Sequence, residues 1–294
     1  MRERNWSRSG SPENGRLTGI ESNGDAVFAS GNRGVLLERE SRDNWTAVVA
    51  NGPRDKDTNL LDVSLTDDGE RLWYCGHSGA FGYYDRAAEE VVPHHAPGDY
   101  TSGFVTIEVS GRSGSEHVFF ANNSGTAFQV RVDGGTDELA HNTTPSNVSK
   151  ATKIVDYRGE HFMATTGGDV FASAGDGSWQ QLAIAEEPIE ALAASDTGVA
   201  AVTQSGTLYR DVSSTEGAEP RKIDLDARGM EELAVRGKTF VAAGRDGRIA
   251  VLDASGGVHY PDPAPGVSCY AADVLVDGTV VVAGSGGTII EGSL

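Results

Sequence analysis

Apolar residues along this chain fall into short runs, and the runs repeat. Two to four apolar residues, usually closed by a small one, lead into a tight Gly- or Asn-containing turn and then a second apolar run. The phrase occurs seven times: VFASGNRGVLL (27–37), LWYCGHSGAF (72–81), VFFANNSGTAF (118–128), FMATTGGDVF (162–171), VAAVTQSGTLY (199–209), FVAAGRDGRIAVL (240–252) and VVVAGSGGTII (280–290). Runs of this length, rich in Val, Phe, Leu and Ala and bounded by Gly, Asn, Asp or Ser, predict strands joined by tight turns. Near-continuous apolar stretches such as VVVAG suit strands covered on both faces. In the first repeat the pattern predicts four strands, over 16–22, 25–30, 34–40 and 45–50. No long segment keeps an apolar period near 3.6, and the helical-looking stretches 85–90 and 189–194 are too brief to predict helices.

Spacing turns these strands into an architecture. The last glycine of each turn falls at Gly34, Gly79, Gly125, Gly168, Gly206, Gly247 and Gly287, at intervals of 45, 46, 43, 38, 41 and 40 residues. Strand units repeating at this period are the signature of propeller blades. The expected fold is therefore all-β, a seven-bladed β-propeller filling residues 1–294 as a single domain. Trp45 and Trp179 each lie 11 residues after a turn glycine, at the start of an outer strand. The seventh repeat has no such tryptophan before Leu294, whereas Trp6 precedes the first inner strand with no blade of its own. The N-terminal segment is thus expected to supply the outer strand of the last blade, which leaves no open sheet edge in the ring.

Two stretches, LLDVSLTDDGERLWYCGHSGAF (60–81) and GGDVFASAGDGSW (167–179), resemble the BNR, or Asp-box, type of propeller repeat. They are especially similar to the propellers of the photosystem II assembly-factor family and its non-photosynthetic relatives. The segments SRDNW (41–45) and SAGDGSW (173–179) keep the Asp and Trp of the Asp-box turn but compress its Ser-x-Asp-x-Gly-x-x-Trp spacing. The resemblance implies a scaffold that binds a protein partner. BNR repeats also occur in sialidases, which makes a glycan-binding or glycan-cleaving propeller the alternative. Sialidases commonly carry a Phe/Tyr-Arg-Ile-Pro motif ahead of their arginine cluster, and this chain has none.

Charge narrows the partners. The formal net charge is −19, with 19 Arg and only five Lys among the basic residues. Acidity combined with Lys depletion is expected of a surface adapted to high salt, where counterions screen self-repulsion. It also argues against nucleic acid, which selects a basic footprint. The polar N-terminus does not read as a secretory signal, and no apolar run approaches a membrane span, so a cytoplasmic location without membrane insertion is expected. Cys75 and Cys269 fall in repeats 2 and 7 and are not expected to pair. The five Asn-x-Ser/Thr sequons, at Asn5, Asn44, Asn122, Asn142 and Asn147, read as chance matches in a Ser/Thr-rich chain.

Chemical sites are sparse. Adjacent His94 and His95 point to opposite sides of an extended chain and read as solvated loop residues, and His77 reads as a turn residue. Acidic clusters at 55–57, 66–69 and 224–226 lack the ligand ladder of a calcium loop. The glycine-rich turns join strands and open no helix, so they are not phosphate cradles. No metal site, cofactor or catalytic residue is expected, and the chain is read as a non-enzyme. The insertions at 51–58, 94–103, 142–152 and 261–268 fall between an outer strand and the next inner strand and should share one face, where rigid scaffolds display binding loops. Lys56, Tyr100, Lys153, Arg228 and Tyr270 lie at that predicted mouth, as a cationic and aromatic rim suited to a carboxylate, phosphate or acidic peptide, and Asp55, Asp57, Asp99, Glu186, Glu187, Asp224 and Asp226 in the same loops make it mixed rather than basic. Arg33 and Arg245, in turns between second and third strands, are expected on the opposite face.

Overall fold

The computed structural model describes residues 6–24, 26–53, 58–94, 97–133, 136–215 and 218–293. Among them are seven sheets, each of four antiparallel strands. The first blade runs through Leu17–Ser22, Val27–Gly31, Leu36–Ser41 and Asn44–Val49, each within two residues of the boundaries predicted from the apolar pattern. The inner strands of the following blades are Leu60–Leu65, Phe104–Ser110, Ala151–Tyr157, Ile189–Ser195, Met230–Arg236 and Cys269–Val274. Segment 189–194, whose composition favours helix, is thus an inner strand: burial of Ile189, Ala191 and Leu192 against neighbouring blades overrides local propensity.

Each of the seven junctions between blades carries one apolar cluster. The most aromatic, between blades 2 and 3, joins Trp73 and Phe81 to Phe104, Phe120 and Phe128. His94 belongs to this packing and is not a solvated loop residue, since its ring stacks on Trp73 at 5.5 Å and on Tyr83 at 5.4 Å; His95 lies outside the described residues. Polar side chains also tie neighbouring inner strands, which share no main-chain ladder. Thr18 donates to the Leu60 carbonyl at 2.7 Å, Ser64 accepts from the Val109 amide at 3.0 Å, Thr106 accepts from the Ile154 amide at 2.9 Å and Thr152 donates to the Ile189 carbonyl at 2.8 Å.

The repeated turn glycines have a steric cause. Gly34 and Gly206 adopt φ of 74° and 92°, and a Cβ would lie 2.0 Å from Gly52 Cα at the first and 1.7 Å from the Ala227 carbonyl oxygen at the second. Both obstacles belong to the connection leaving the same blade. That connection is hydrogen-bonded to the turn: the Gly52 amide donates to the Arg33 carbonyl at 2.7 Å, and the Leu225 amide to the Gly206 carbonyl at 3.0 Å. The turn between second and third strands therefore sits on the same face as the inter-blade connections. This corrects the placement expected for Arg33 and Arg245. Chain direction reverses at every strand of an antiparallel meander, so the second turn and the exit from the fourth strand emerge at the same end.

In the last blade, Cys269–Val274, Thr279–Gly284 and Ile289–Ser293 are joined by Ser7–Ser9, which pairs antiparallel with the third of them, Ser7 opposite Glu291 and Ser9 opposite Ile289. Trp6 lies against Gly292, where a Cβ would fall 2.2 Å from its ring. Glu291 is fully buried at the junction of the last and first blades. It accepts from Arg39 Nη2 at 2.8 Å, Trp45 Nε1 at 3.1 Å and the Asp43 amide at 3.3 Å. Cys75 and Cys269 are both buried and unpaired.

Truncating Trp6 removes apolar contact from a partly filled site, and Trp6→Ala is expected to lower the unfolding free energy by about 2 kcal/mol. Glu291→Ala, which strands the Arg39 guanidinium, is expected to cost about 3 kcal/mol. Denaturant titration of each variant measures both; unchanged midpoints would contradict the seam described for these residues.

Candidate functional site

The seven inner strands surround an axial channel, and one irregularity in each of them shapes its mouth. Every inner strand skips one residue in pairing with its neighbour, between Leu17 and Gly19, Leu60 and Asp62, Phe104 and Thr106, Ala151 and Lys153, Ile189 and Ala191, Met230 and Glu232, and Cys269 and Ala271. A bulge re-aims the side chain of the extra residue. The seven extra residues, Thr18, Leu61, Val105, Thr152, Glu190, Glu231 and Tyr270, all line one basin of about 320 Å³ on the connection face. Arg16 and Arg245 complete it. The Arg16 guanidinium lies 3.4 Å from the centre of the Tyr270 ring, and Arg245 Nε reaches Glu231 Oε1 at 2.5 Å.

Beneath the basin, Lys153 crosses the channel. Its ammonium, on blade 4, lies 2.9 and 3.0 Å from the carboxylate oxygens of Asp62 on blade 2 and 3.8 Å from Glu232 on blade 6. Asp62 is held in turn by the Val63 and Ile107 amides, each at 3.1 Å. Below this crosspiece a chamber of about 390 Å³ opens toward the other face, lined by Glu21, Glu108, Glu232 and Asp273 among apolar walls from Ile20, Val63, Ile107 and Leu192. Lys153 and Glu232 border both spaces.

Carboxylates outnumber cations along the chamber, which leaves the acids poorly compensated. Burial raises Glu108 to about 8 and Glu232 to about 7, and the pull of Lys153 offsets only part of it. Burial, with Asp273 and Glu108 nearby, also lifts Glu21 well above the usual carboxylate range, and burial lifts Asp273, which accepts from the Ser22 hydroxyl. Burial works against the Lys153 charge, but Asp62 and Glu232 outweigh it and hold the ammonium more firmly protonated than a free lysine. The Lys153–Asp62 pair thus forms the floor of the basin, and carboxyls raised by burial line the chamber beneath it. Among the described residues no group of three or more His, Cys, Asp or Glu is arranged to hold a metal ion.

The structure brings only two of the sequence-derived rim residues together, Lys153 and Tyr270. Lys153 is not presented on the rim: its ammonium turns inward onto Asp62. Tyr100 lies on the connection into blade 3 with its ring edge-on to Phe128 at 4.7 Å, part of the packing between blades 2 and 3. Arg228 is exposed on the connection into blade 6, where its carbonyl accepts from Arg248 Nη1 at 3.0 Å. Lys56 lies outside the described residues. Asp62, Glu190, Glu231, Glu232 and Arg16 escaped the sequence reading; the first four are the second or third residue of an inner strand, a signal visible only once the seven strands are aligned on their bulges, and Arg16 sits just ahead of the first inner strand. The Asp of SRDNW and of SAGDGSW falls in the hairpin between third and fourth strands. Asp43 there accepts from Ser7 and Ser9, and Asp176 accepts from the Ser178 amide at 2.9 Å.

A seven-bladed β-propeller with a plugged axial channel is the class these features define. No family model matches the chain, and no curated protein matches its sequence. Solved structures do match its fold. A chain of a mitotic checkpoint complex superposes with a TM-score of 0.78 at 13% identity, over 100% of this chain and 94% of that one. The WD40 repeats of RRP9 give 0.79 at 9% identity, over 98% and 97%, and the WD40 β-propeller domain of Doa1 gives 0.75 at 15%, over 99% and 97%. Identities this low establish a shared fold.

The raised glutamates set a pH dependence. Unfolded, they titrate near 4.3; folded, Glu232 and Glu108 keep their protons to about 7 and about 8. Their contribution to stability is therefore greatest below about pH 4.3, falls as pH rises through 7 and 8, and levels off above. Between pH 5 and 9 the unfolding free energy is expected to drop by on the order of 1–2 kcal/mol, allowing for water in the channel. The double variant Glu108→Gln/Glu232→Gln should flatten that slope and Lys153→Met should steepen it, as read from denaturation midpoints across the pH series.

Proposed function

We propose that this protein is a non-enzymatic scaffold that captures a protein partner on the face carrying the inter-blade connections. One observation carries the reading: the connections and the turns between second and third strands share one face, and there the seven bulge residues converge on one rigid basin whose floor is an ion pair. A basin of this kind receives a projecting side chain or loop. The Asp-box resemblance of 60–81 and 167–179, and the assembly-factor propellers they resemble, support the same reading. So does the occurrence of a matching propeller within a mitotic checkpoint complex. The acidic, Lys-poor surface is read as adapted to a salt-rich cytoplasm.

Affinity capture with the purified chain from its host, at the host's own salt, followed by binding measurements on the recovered partner, tests this. Arg16→Ala, Tyr270→Ala and Arg228→Ala should each weaken binding by about tenfold or less, ~1.4 kcal/mol or below; Arg16 and Arg228 are exposed, where substitutions usually cost within about 0.5 kcal/mol of stability, and the half-buried Tyr270 should cost somewhat more without unfolding the chain. Arg158→Ala and Lys238→Ala, in turns on the other face, should leave binding unchanged. Binding that survives the first set and fails with the second would place the partner on the wrong face for this proposal. Turnover or tight binding of a sialoside by the purified chain would instead favour the glycan alternative.

Salt adaptation has its own readout. Raising KCl from 0.1 to 1 M shortens the Debye length from about 10 to about 3 Å, and the melting temperature is expected to rise across that range. A flat or falling profile would mark the acidity as ordinary.

A further inference from the structure

At the outer part of the same face, blade 6 frames a second concavity of about 490 Å³. Its walls come from the connection entering the blade, from the turn at Asp246–Arg248 and from the connection leaving it. Tyr260 stands in that wall with 53% of its surface exposed, one of two exposed large apolar side chains among the described residues. Its ring is held in place, because the hydroxyl donates to the Leu225 carbonyl at 2.7 Å. Pro261 and Pro265 stiffen the adjoining backbone. The turn opposite is equally fixed, with the Gly266 amide donating to the Asp246 carbonyl at 3.1 Å.

Three carboxylates border this groove, Asp226, Asp246 and Asp262, and all are exposed. None of their side chains makes a hydrogen bond or ion pair among the described residues. Arg248 is the one cation in the lining, and its guanidinium is engaged by the Arg228 carbonyl. With three carboxylates against one guanidinium, the groove combines an anchored, accessible aromatic face with net negative charge. An acidic ligand is repelled by it, and a purely apolar one would desolvate carboxylates without compensation. A guanidinium or ammonium satisfies both features at once, lying over the ring while the carboxylates meet its charge.

We propose that the blade 6 groove receives a basic segment of the partner protein, with an Arg or Lys side chain against Tyr260 and its charge met by Asp226, Asp246 and Asp262. The proposal rests on the scaffold reading of this face and specifies the chemistry of what docks there.

The test uses the full chain and a fluorescein-labelled peptide, acetyl-Gly-Arg-Gly-Arg-Gly, with a Gly-Glu-Gly-Glu-Gly control, followed by fluorescence anisotropy at 0.15 M KCl. The arginine peptide should bind saturably and the glutamate peptide should not. Tyr260→Ala, and separately the triple variant Asp226→Asn/Asp246→Asn/Asp262→Asn, should each weaken binding about tenfold, ~1.4 kcal/mol, with unchanged melting temperature. Asp196→Asn, on the other face, should have no effect, which separates the groove from general attraction to an acidic protein. Absent or non-saturable binding of the arginine peptide, equal binding of the glutamate peptide, or indifference to both groove variants would overturn the proposal. Partner capture lost in Arg16→Ala and Tyr270→Ala but intact in Tyr260→Ala would overturn it too, while leaving the scaffold reading in place.

Discussion

Each blade of this protein buries both of its faces, and a four-stranded sheet cannot do so without a neighbour on either side. That requirement governs the rest of the molecule. It explains why the middle of second strands, as at 280–283 within Thr279–Gly284, is apolar at consecutive positions, and why each junction has its own apolar cluster. It also makes the junction between last and first blades as demanding as any other. Leu17, Ala29 and Leu37 pack there on Val281, Ala283 and Ile289, and Glu291, Arg39 and Trp45 add a buried polar tie.

Packing the sheets around an axis leaves the inner strands with a special problem. They lie side by side without main-chain pairing, so hydroxyls and carboxylates bridge them: Thr18, Asp62, Ser64, Thr106 and Thr152 each bond to the backbone of the next blade. The side chains left over face the channel. Most that carry charge are acidic, and Lys153 is the counterion that lets them share the space. A carboxylate is costly to hold charged away from bulk water, and the upward shifts of Glu108 and Glu232 register that cost. Lys153, reaching from blade 4 to Asp62 on blade 2, spans the channel between the basin and the chamber.

That surface is built from elements distant in sequence. Tyr270 of blade 7 meets Arg16 at the entrance to blade 1, and Arg245 of blade 6 meets Glu231 on an inner strand of the same blade. The groove at Tyr260 draws on three separate segments of chain. Rigid strands fix such segments to one another, so side-chain chemistry can vary in the loops without loss of the fold.

The sequence by itself determined the strands, their number and the fold. Apolar runs and turn glycines are local signals, and seven copies at a near-constant period leave little freedom in how they assemble. Gly34 and Gly206 recur because a Cβ at either would strike the connection beside it, so even that long-range contact left a local mark. Tertiary structure alone decided which residues meet. Lys153 reads as a rim cation in sequence, since nothing within a few residues reveals Asp62 across the channel. Arg245 reads as belonging to the opposite face until the alternation of strand direction is followed through the whole blade. The mouth residues Glu190 and Glu231 are placed by bulges, which shift a strand by one residue and leave no trace in composition. Charge pairing across a ring depends on closing the ring, and only the folded chain does that.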